Sequence, residues 1–350
     1  MTSRIPVGLL GATGTVGQRF VERLAGHPWF EIACVAASDR SRGKPYEEAA
    51  HWRLPSAIPD RLAGMRVCGP LDELPCRLVF SALDAALAGE VEPELARRGI
   101  LVFSNASAHR MDDDVPLLLP EVNPDTLRLL ERQRRERRWT GGIVTNANCS
   151  TIVLALALAP LHRAFEIERV FVTTMQAVSG AGYPGVPSLD ILGNVIPDIP
   201  EEAMKIERET RKILGELSGE RVAPATFEIS AMTYRVPVED GHTESISVEL
   251  RRKADLSELH AAWEEFRAPE GVRGLPSAPE RPIVTMPLPH RPQPRRDVDL
   301  GGGMSVAVGG LKPCGLLDWK FTALGHNTIR GAAGASILNA EYACATGLLD

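Results

Sequence analysis

Cys149 stands where an apolar strand-like run, Gly142 to Thr145, gives way through Asn146-Ala147-Asn148 to the apolar, helix-like stretch Ile152 to Leu161. A helix that starts at such a junction turns unpaired N–H groups and the positive end of its dipole toward the thiol. Both features stabilise a thiolate, and both can hold the oxyanion that forms when a thiolate attacks a carbonyl. The chemistry on offer is nucleophilic catalysis through a covalent thioester. A lone cysteine ahead of an apolar helix is more often a small buried side chain, so its role depends on the motifs that accompany it.

Two of those motifs concern a nucleotide. Directly after the first strand-like run comes Gly11-Ala12-Thr13-Gly14-Thr15-Val16-Gly17. Gly11, Gly14 and Gly17 let the turn tighten and let a phosphate approach backbone N–H groups at a helix N-terminus. Their spacing is G-x-x-G-x-x-G instead of the dinucleotide fingerprint G-x-G-x-x-G. With Thr13, Thr15 and Val16 they form the expected cofactor loop, and Ser81, in a later strand-like run, is assigned to the cofactor as well. After the second strand-like run lies Ser38-Asp39-Arg40-Ser41-Arg42-Gly43-Lys44. Ser38, Arg40, Ser41 and Lys44 offer hydroxyls and cations that match a 2′-phosphate, which selects NADP. Asp39 could instead accept from a ribose hydroxyl, as an NAD enzyme requires.

The elements that must position these groups can be read from periodicity. Apolar runs at Val7–Leu10, Ile32–Ala36, Leu78–Ala82, Ile100–Ser104 and Ile143–Thr145 alternate with helical patterns such as Val16–Ala25 and Glu92–Arg98. That alternation predicts a Rossmann-like, doubly wound parallel sheet. Beyond residue 150, Ile246, Val248 and Leu250 alternate with Ser245, Ser247 and Glu249, as in a strand with one buried and one wet face. An α+β second domain with a mixed, largely antiparallel sheet follows. The expected division is 1–148 for the NADP-binding domain, completed by a C-terminal helix at 326–350, and 149–325 for the catalytic and dimerisation domain. A helix is expected over Glu201–Leu217. The seven prolines between Pro276 and Arg296 exclude a regular helix or central strand and predict an extended surface loop. The basic run Arg132–Arg138 ends a helical pattern, where cations suit the dipole, and reads as a solvated face.

Composition narrows the function classes. The 350 residues, 44% apolar and 24% charged, suffice for two packed cores. A net charge of −6 gives no attraction to nucleic acid or an anionic membrane, which leaves a small-molecule substrate. The six cysteines form no C-x-x-C pair and no run with zinc-ligand spacing, so neither metal nor disulfide framework is expected and the thiols read as reduced, cytoplasmic ones. Neither a signal peptide nor a membrane span is predicted.

Five stretches together resemble one family. N-A-N-C-S-T, G-A-T-G-T-V-G, S-N-A-S-A-H-R-M, L-P-E-V-N and H-N-T-I-R-G-A-A-G-A-S-I-L-N-A-E are similar to the aspartate-semialdehyde dehydrogenases, in the branch typical of archaea and fungi. The resemblance covers nearly the whole chain. Ala147 stands where the family usually has proline, and Lys312-Pro313-Cys314-Gly315 is less basic than the family pattern. The resemblance implies reversible, NADPH-linked reduction of L-aspartyl-β-phosphate to the semialdehyde, in the supply of lysine, threonine, methionine and isoleucine. It also implies inorganic phosphate as a partner and a homodimer or homotetramer.

Roles transfer by motif. Cys149 resembles the nucleophile and His242, in R-V-P-V-E-D-G-H, the acid–base residue; an imidazole titrating near neutrality could accept the thiol proton. Arg235 resembles the arginine that pairs the substrate α-carboxylate. Glu209 resembles the partner of its ammonium, with Lys212 near the phosphate. Arg110 and Asn148 resemble further phosphate ligands, and Gln176 a positioning residue. Ser179, Gly180 and Asn327 would border the nicotinamide. A malonyl-CoA or succinyl-CoA reductase on the same scaffold is the rival reading, which Glu209 disfavours because those acyl groups carry no ammonium.

Overall fold

Consecutive residues of Leu78–Ser81 and Leu101–Ser104 go to opposite hydrophobic clusters, Leu78, Phe80, Leu101 and Phe103 to one and Val79 and Val102 to the other. With both faces covered, these strands read as unbroken apolar runs and not as alternation. The computed structural model, which describes residues 4–348, assembles them into a six-stranded sheet. Its strands are β1 (Ile5–Leu10), β2 (Phe30–Ala36), β3 (Val67–Cys68), β4 (Leu78–Ser81), β5 (Leu101–Ser104) and β6 (Gly142–Thr145), ordered β3-β2-β1-β4-β5-β6 with every pairing parallel. The order reverses between β1 and β4, so a crevice opens there at the carboxyl ends of the strands. The glycine loop follows β1 into the helix Thr15–Leu24. The two-residue β3 was not foreseen, being too short to show a period.

The second sheet is mixed. Its strands are β7 (Ile167–Gln176) and β8 (Ile196–Pro197), then β11 (Glu228–Arg235) and β12 (His242–Leu250) after a separate hairpin of β9 (Glu216–Ser218) and β10 (Arg221–Ala223). β13 (Ile283–Met286), β14 (Val306–Pro313) and β15 (Trp319–Gly325) complete the order β13-β14-β15-β12-β7-β11-β8. The pairs β7–β11 and β13–β14 are parallel and the others antiparallel. Val170, Val172, Ile246, Val248 and Phe321 join the cluster of the helix Cys149–Phe165, which is buried from Ser150 through Leu161.

Register, more than proximity in sequence, builds the site. Arg235 pairs with Gln176, Thr243 with Met175 and His242 with Gly325, which sets Arg235, Gln176 and His242 in one row at the end of the sheet. Residues two apart share a face, so the same face that packs on the cysteine helix carries this row at its rim.

Three expectations need correction. The helix foreseen over Glu201–Leu217 runs Glu202–Ile213, because the chain then enters the β9–β10 hairpin. The proline-rich segment is not all loop. Its proline-free stretch Ile283–Met286 pairs only with β14 at the sheet edge, where flanking prolines forfeit no ladder bond, and Pro294–Asp297 form one helical turn. The final helix comprises a π-helical stretch, Ile329–Ala333, and an α-helix, Gly334–Ala345. Its Ile337, Ala340 and Ala343 pack in the cluster of the first sheet. Residues 1–3, 349 and 350, which the expected domain limits include, lie outside the described residues.

Two of the motif stretches meet in an ion pair. Arg330 donates to both oxygens of Glu121 at 2.7 and 3.0 Å, and both side chains are fully buried. Removing one partner leaves a charge stranded in the interior. Arg330→Met is expected to lose about 3 kcal/mol of stability, read from denaturant midpoints. A loss below about 1 kcal/mol would show that the pair is merely tolerated, as exposed pairs are.

Candidate active site

The Cys149 Sγ lies 3.1 Å from His242 Nε2. Cys149 opens the helix Cys149–Phe165, whose N-cap Asn148 accepts from the N–H groups of Ser150 and Thr151 through its side-chain oxygen. Those two donors, expected from the sequence to be free for an oxyanion, are therefore taken. His242 is fully buried, and its Nδ1 accepts from the backbone N–H of Ala177 at 3.1 Å. A peptide N–H can only donate, so a neutral His242 carries its proton on Nε2 and presents it to the sulfur. A second proton on Nδ1 would face the Ala177 amide head-on.

Electrostatics push the same way. Burial, with the neighbouring Arg235 charge second, lowers the His242 pKa to about 3. The expectation of an imidazole titrating near neutrality does not hold for the free protein. Burial, with the Glu202 charge second, raises the Cys149 thiol to about 12. At pH 7 both groups are neutral. Below pH 12 the thiolate fraction of such a thiol grows tenfold per pH unit. Alkylation of Cys149 by iodoacetamide is accordingly expected to rise about tenfold per unit from pH 7 to 10, followed by site-resolved mass spectrometry. A plateau starting near pH 6 would instead reveal a thiolate–imidazolium pair.

Arg235 donates through Nη1 to the Ala177 carbonyl at 2.8 Å, which leaves Nε and Nη2 as a fork. Gly180 is packed so tightly that a Cβ would sit 2.9 Å from Arg235 Nη1 and 3.1 Å from His242 Cε1, so any side chain there would displace one of them. Gln176 is buried, with Nε2 3.3 Å from Thr174 Oγ1 and 3.4 Å from Glu202 Oε2. Asn148 Nδ2 donates to the same Glu202 oxygen at 2.8 Å. The sequence reading missed Glu202. It stands two helical turns before Glu209, and that spacing of seven, which returns to the same helix face, was the available signal.

Glu209 and Lys212 are more enclosed than expected. Glu209 accepts from Arg110 Nη1 at 3.0 Å and from the Asn148 backbone N–H at 2.6 Å. Lys212 donates all three of its protons to the carbonyls of Arg110, Asp112 and Val115 at 2.7, 2.8 and 3.2 Å. Burial lowers its pKa to about 8. With no donor left over, Lys212 shapes the loop that carries Arg110. Arg110 itself keeps a buried Nε without a partner.

Along the crevice, the helix Thr15–Leu24 starts at Gly14 with no side-chain cap, which leaves its first N–H groups for a phosphate. Thr13 is tied in by Gln18, whose Nε2 donates to its carbonyl at 3.1 Å. Ser38, Arg40 and Lys44 are exposed and Ser41 is buried beside them. Arg42 pairs with Asp72 at 2.5 Å, whereas Arg40 and Lys44 have no ion-pair partner among the described residues. Ser81 is buried, its hydroxyl beside the Glu92 carboxyl group. Ser179 and Asn327 meet, Asn327 Nδ2 donating to Ser179 Oγ at 2.8 Å. They line, or adjoin, a cavity of about 690 Å³ whose wall also includes Thr15, Arg19, Asp240 and His326. Among the described residues no group of three or more His, Cys, Asp or Glu side chains is arranged to hold a metal ion.

The geometry can be set beside known proteins. Residues 6–130 match the family model of the semialdehyde dehydrogenase NAD binding domain, and residues 158–330 that of the semialdehyde dehydrogenase dimerisation domain. The aspartate-semialdehyde dehydrogenase of Methanothermobacter thermautotrophicus is 52% identical over 346 residues, covering 96% of this chain and 98% of that protein. That of Cryptococcus neoformans is 45% identical over 360 residues, covering 99% of each. The crystal structure of the Candida albicans aspartate-semialdehyde dehydrogenase with NADP superposes with a TM-score of 0.91 at 40% identity, over 98% of this chain and 99% of that one. The chain is an oxidoreductase that belongs to the aspartate-semialdehyde dehydrogenase family.

Proposed function

We propose that the chain catalyses the reversible, NADPH-dependent reductive dephosphorylation of L-aspartyl-β-phosphate to L-aspartate 4-semialdehyde, with Cys149 carrying the acyl group as a thioester. The observation that carries this reading is the 3.1 Å contact of Cys149 Sγ with His242 Nε2, in a ring whose Nδ1 accepts from the Ala177 N–H. Domain limits of 1–148 with the C-terminal helix, and 149–325, suit the two halves of the chemistry.

The residues present fit the cofactor. The uncapped helix start at Gly14, with Gly11, Thr13, Thr15, Val16 and Gly17, would hold the pyrophosphate. Arg40 and Lys44, with Ser38 and Ser41, would hold the 2′-phosphate, while Ser81, Ser179, Gly180 and Asn327 would border the remainder. When bound, NADPH supplies the hydride that reduces the thioester carbon.

The chain's own groups do the rest. Arg235 offers its free fork to the α-carboxylate, and Glu209 with Glu202 forms an acidic wall for the ammonium. Arg110, whose buried Nε has no partner, would pair with the phosphate, with Asn148 beside it, Gln176 positioning the acyl group and Lys212 supporting the loop. The Cys149 thiolate forms a C–S bond to the acyl carbon. The oxyanion, held by His242 Nε2–H, then collapses and breaks the C–O bond to phosphate. After reduction the same N–H holds the alkoxide, which collapses to the aldehyde and returns its electron pair to Sγ. In this direction no step needs a proton to land on His242. Initial rates with aspartate semialdehyde, NADP and phosphate, set against malonyl-CoA and succinyl-CoA with NADPH, test the reading. Faster turnover of either CoA thioester would overturn it.

The matched dimerisation domain supports a homodimer or homotetramer. Phe171 and Met232, on the adjacent strands β7 and β11, are 44% and 46% exposed, a patch suited to a second copy. Phe171→Glu is expected to shift light scattering toward the 37.9 kDa monomer, while an unchanged mass would place the interface elsewhere. No helix among the described residues is long and apolar enough to cross a membrane. Six cysteines with no C-x-x-C pair fit a reducing compartment, for which we propose the cytoplasm.

A further inference from the structure

The segment before His242 is held in a closed ring of hydrogen bonds, of which Asp240 and Gly241 have no part in the chemistry above. Asp240 Oδ1 accepts from Ser179 Oγ at 2.7 Å, Ser179 Oγ accepts from Asn327 Nδ2 at 2.8 Å, and Asn327 Oδ1 accepts from the Gly241 N–H at 2.8 Å. The backbone between Asp240 and Gly241 closes the ring. Gly241 has φ +102°, a conformation that side chains resist, so the chain enters β12 through a bend that needs support. Ser179 precedes Gly180, which packs on Arg235 and His242. The ring thus grips both segments that flank the imidazole.

One cation clips this ring to the nucleotide side. Arg19 donates through Nη2 to Asp240 Oδ2 at 3.0 Å, through Nε to Thr328 Oγ1 at 3.1 Å and through Nη1 to Glu22 at 3.1 Å. It sits one helical turn beyond Thr15, on the helix whose start forms the glycine loop. The Arg19 and Asp240 side chains are only 14% and 20% exposed, so the pair is shielded from much of the solvent screening that weakens surface pairs. We infer that Arg19 and Asp240 are a positioning pair that couples occupancy of the glycine-loop crevice to the placement of His242 against Cys149. The inference rests on the reading of Cys149 and His242 as the reacting pair. Movement of the Thr15–Leu24 helix pulls on Asp240, and the ring passes it to Gly241 and Gly180 together. The ion pair joins two elements 221 residues apart and so carries a coupling that no local contact supplies.

The test measures Cys149 alkylation by iodoacetamide, with and without saturating NADP, in the full chain and in Arg19→Met, Arg19→Lys and Asp240→Asn. NADP is expected to change the wild-type rate about fivefold or more. In Arg19→Met and Asp240→Asn the ratio should fall below about twofold, and Arg19→Lys, which keeps the charge, should restore part of it. The kcat for aspartate semialdehyde should drop about tenfold in the first two with its KM nearly unchanged. A wild-type ratio near one would overturn the coupling. A ratio as large in Arg19→Met and Asp240→Asn as in the wild type would also overturn it, since NADP would then be only shielding the thiol. If Cys149→Ser is inactive and these variants still behave as wild type, this inference alone fails. If Cys149→Ser turns over normally, the reacting-pair reading fails with it.

Discussion

Cys149→Ser is expected to bind NADP with wild-type affinity and to lose turnover by about four orders of magnitude or more. A serine hydroxyl is a far weaker nucleophile than a thiolate near pH 7, and enzymes that use one place a base beside it. Here His242 is not poised as that base. The Ala177 amide occupies His242 Nδ1, so Nε2 carries a proton and has no lone pair to offer. The thiol can ionise to solvent at a cost, whereas the hydroxyl has no route. Fluorescence titration with NADP and kcat measurement separate the two halves of the prediction. Trapping the acyl enzyme adds a positive arm, with the adduct expected on Cys149. General thiol reagents need care, because backbone N–H groups of Leu317 and Leu316 lower the Cys314 thiol. An acyl adduct confined to Cys314 would sink the assignment.

What the sequence made legible was set by local chemistry. The parallel sheet, the two-residue β3 apart, could be read because its strands are largely apolar and buried, and the place of Cys149 at a helix start because a strand–turn–helix junction is local. The long-range geometry was hidden. Nothing in the periodicity of β7 or β12 states their register, so motif resemblance gave Arg235, Gln176 and His242 their expected roles but not the row in which the strands set them. Lys212 read as a cation near the phosphate because its three carbonyl partners lie about a hundred positions away, at Arg110 to Val115. Glu202 was hidden in the same way, its meaning coming from Asn148 and Gln176, 54 and 26 positions away on other elements. The tautomer of His242 was out of reach altogether, since it is set by one backbone amide and not by any residue type.

That amide yields the second large effect. His242→Ala is expected to lower kcat about 10³-fold, the scale for removing a donor aimed at a developing oxyanion. The informative variant is His242→Gln, which places an N–H donor near the position of Nε2 and cannot act as a base. If His242 works as a fixed donor, the glutamine should recover at least about tenfold of the activity that alanine loses. If His242 must accept and return a proton, glutamine should be as inactive as alanine. A second readout is the pH profile. With the imidazolium suppressed by burial to about pH 3, kcat of the wild type should show no inflection between pH 6 and 7. A bell with an acidic limb near 6.5, together with an inactive His242→Gln, would mean that substrate binding breaks the Ala177 contact and frees Nδ1 for a proton. Normal turnover in the alanine variant would remove His242 from the reaction and leave Cys149 to be activated by the helix start alone.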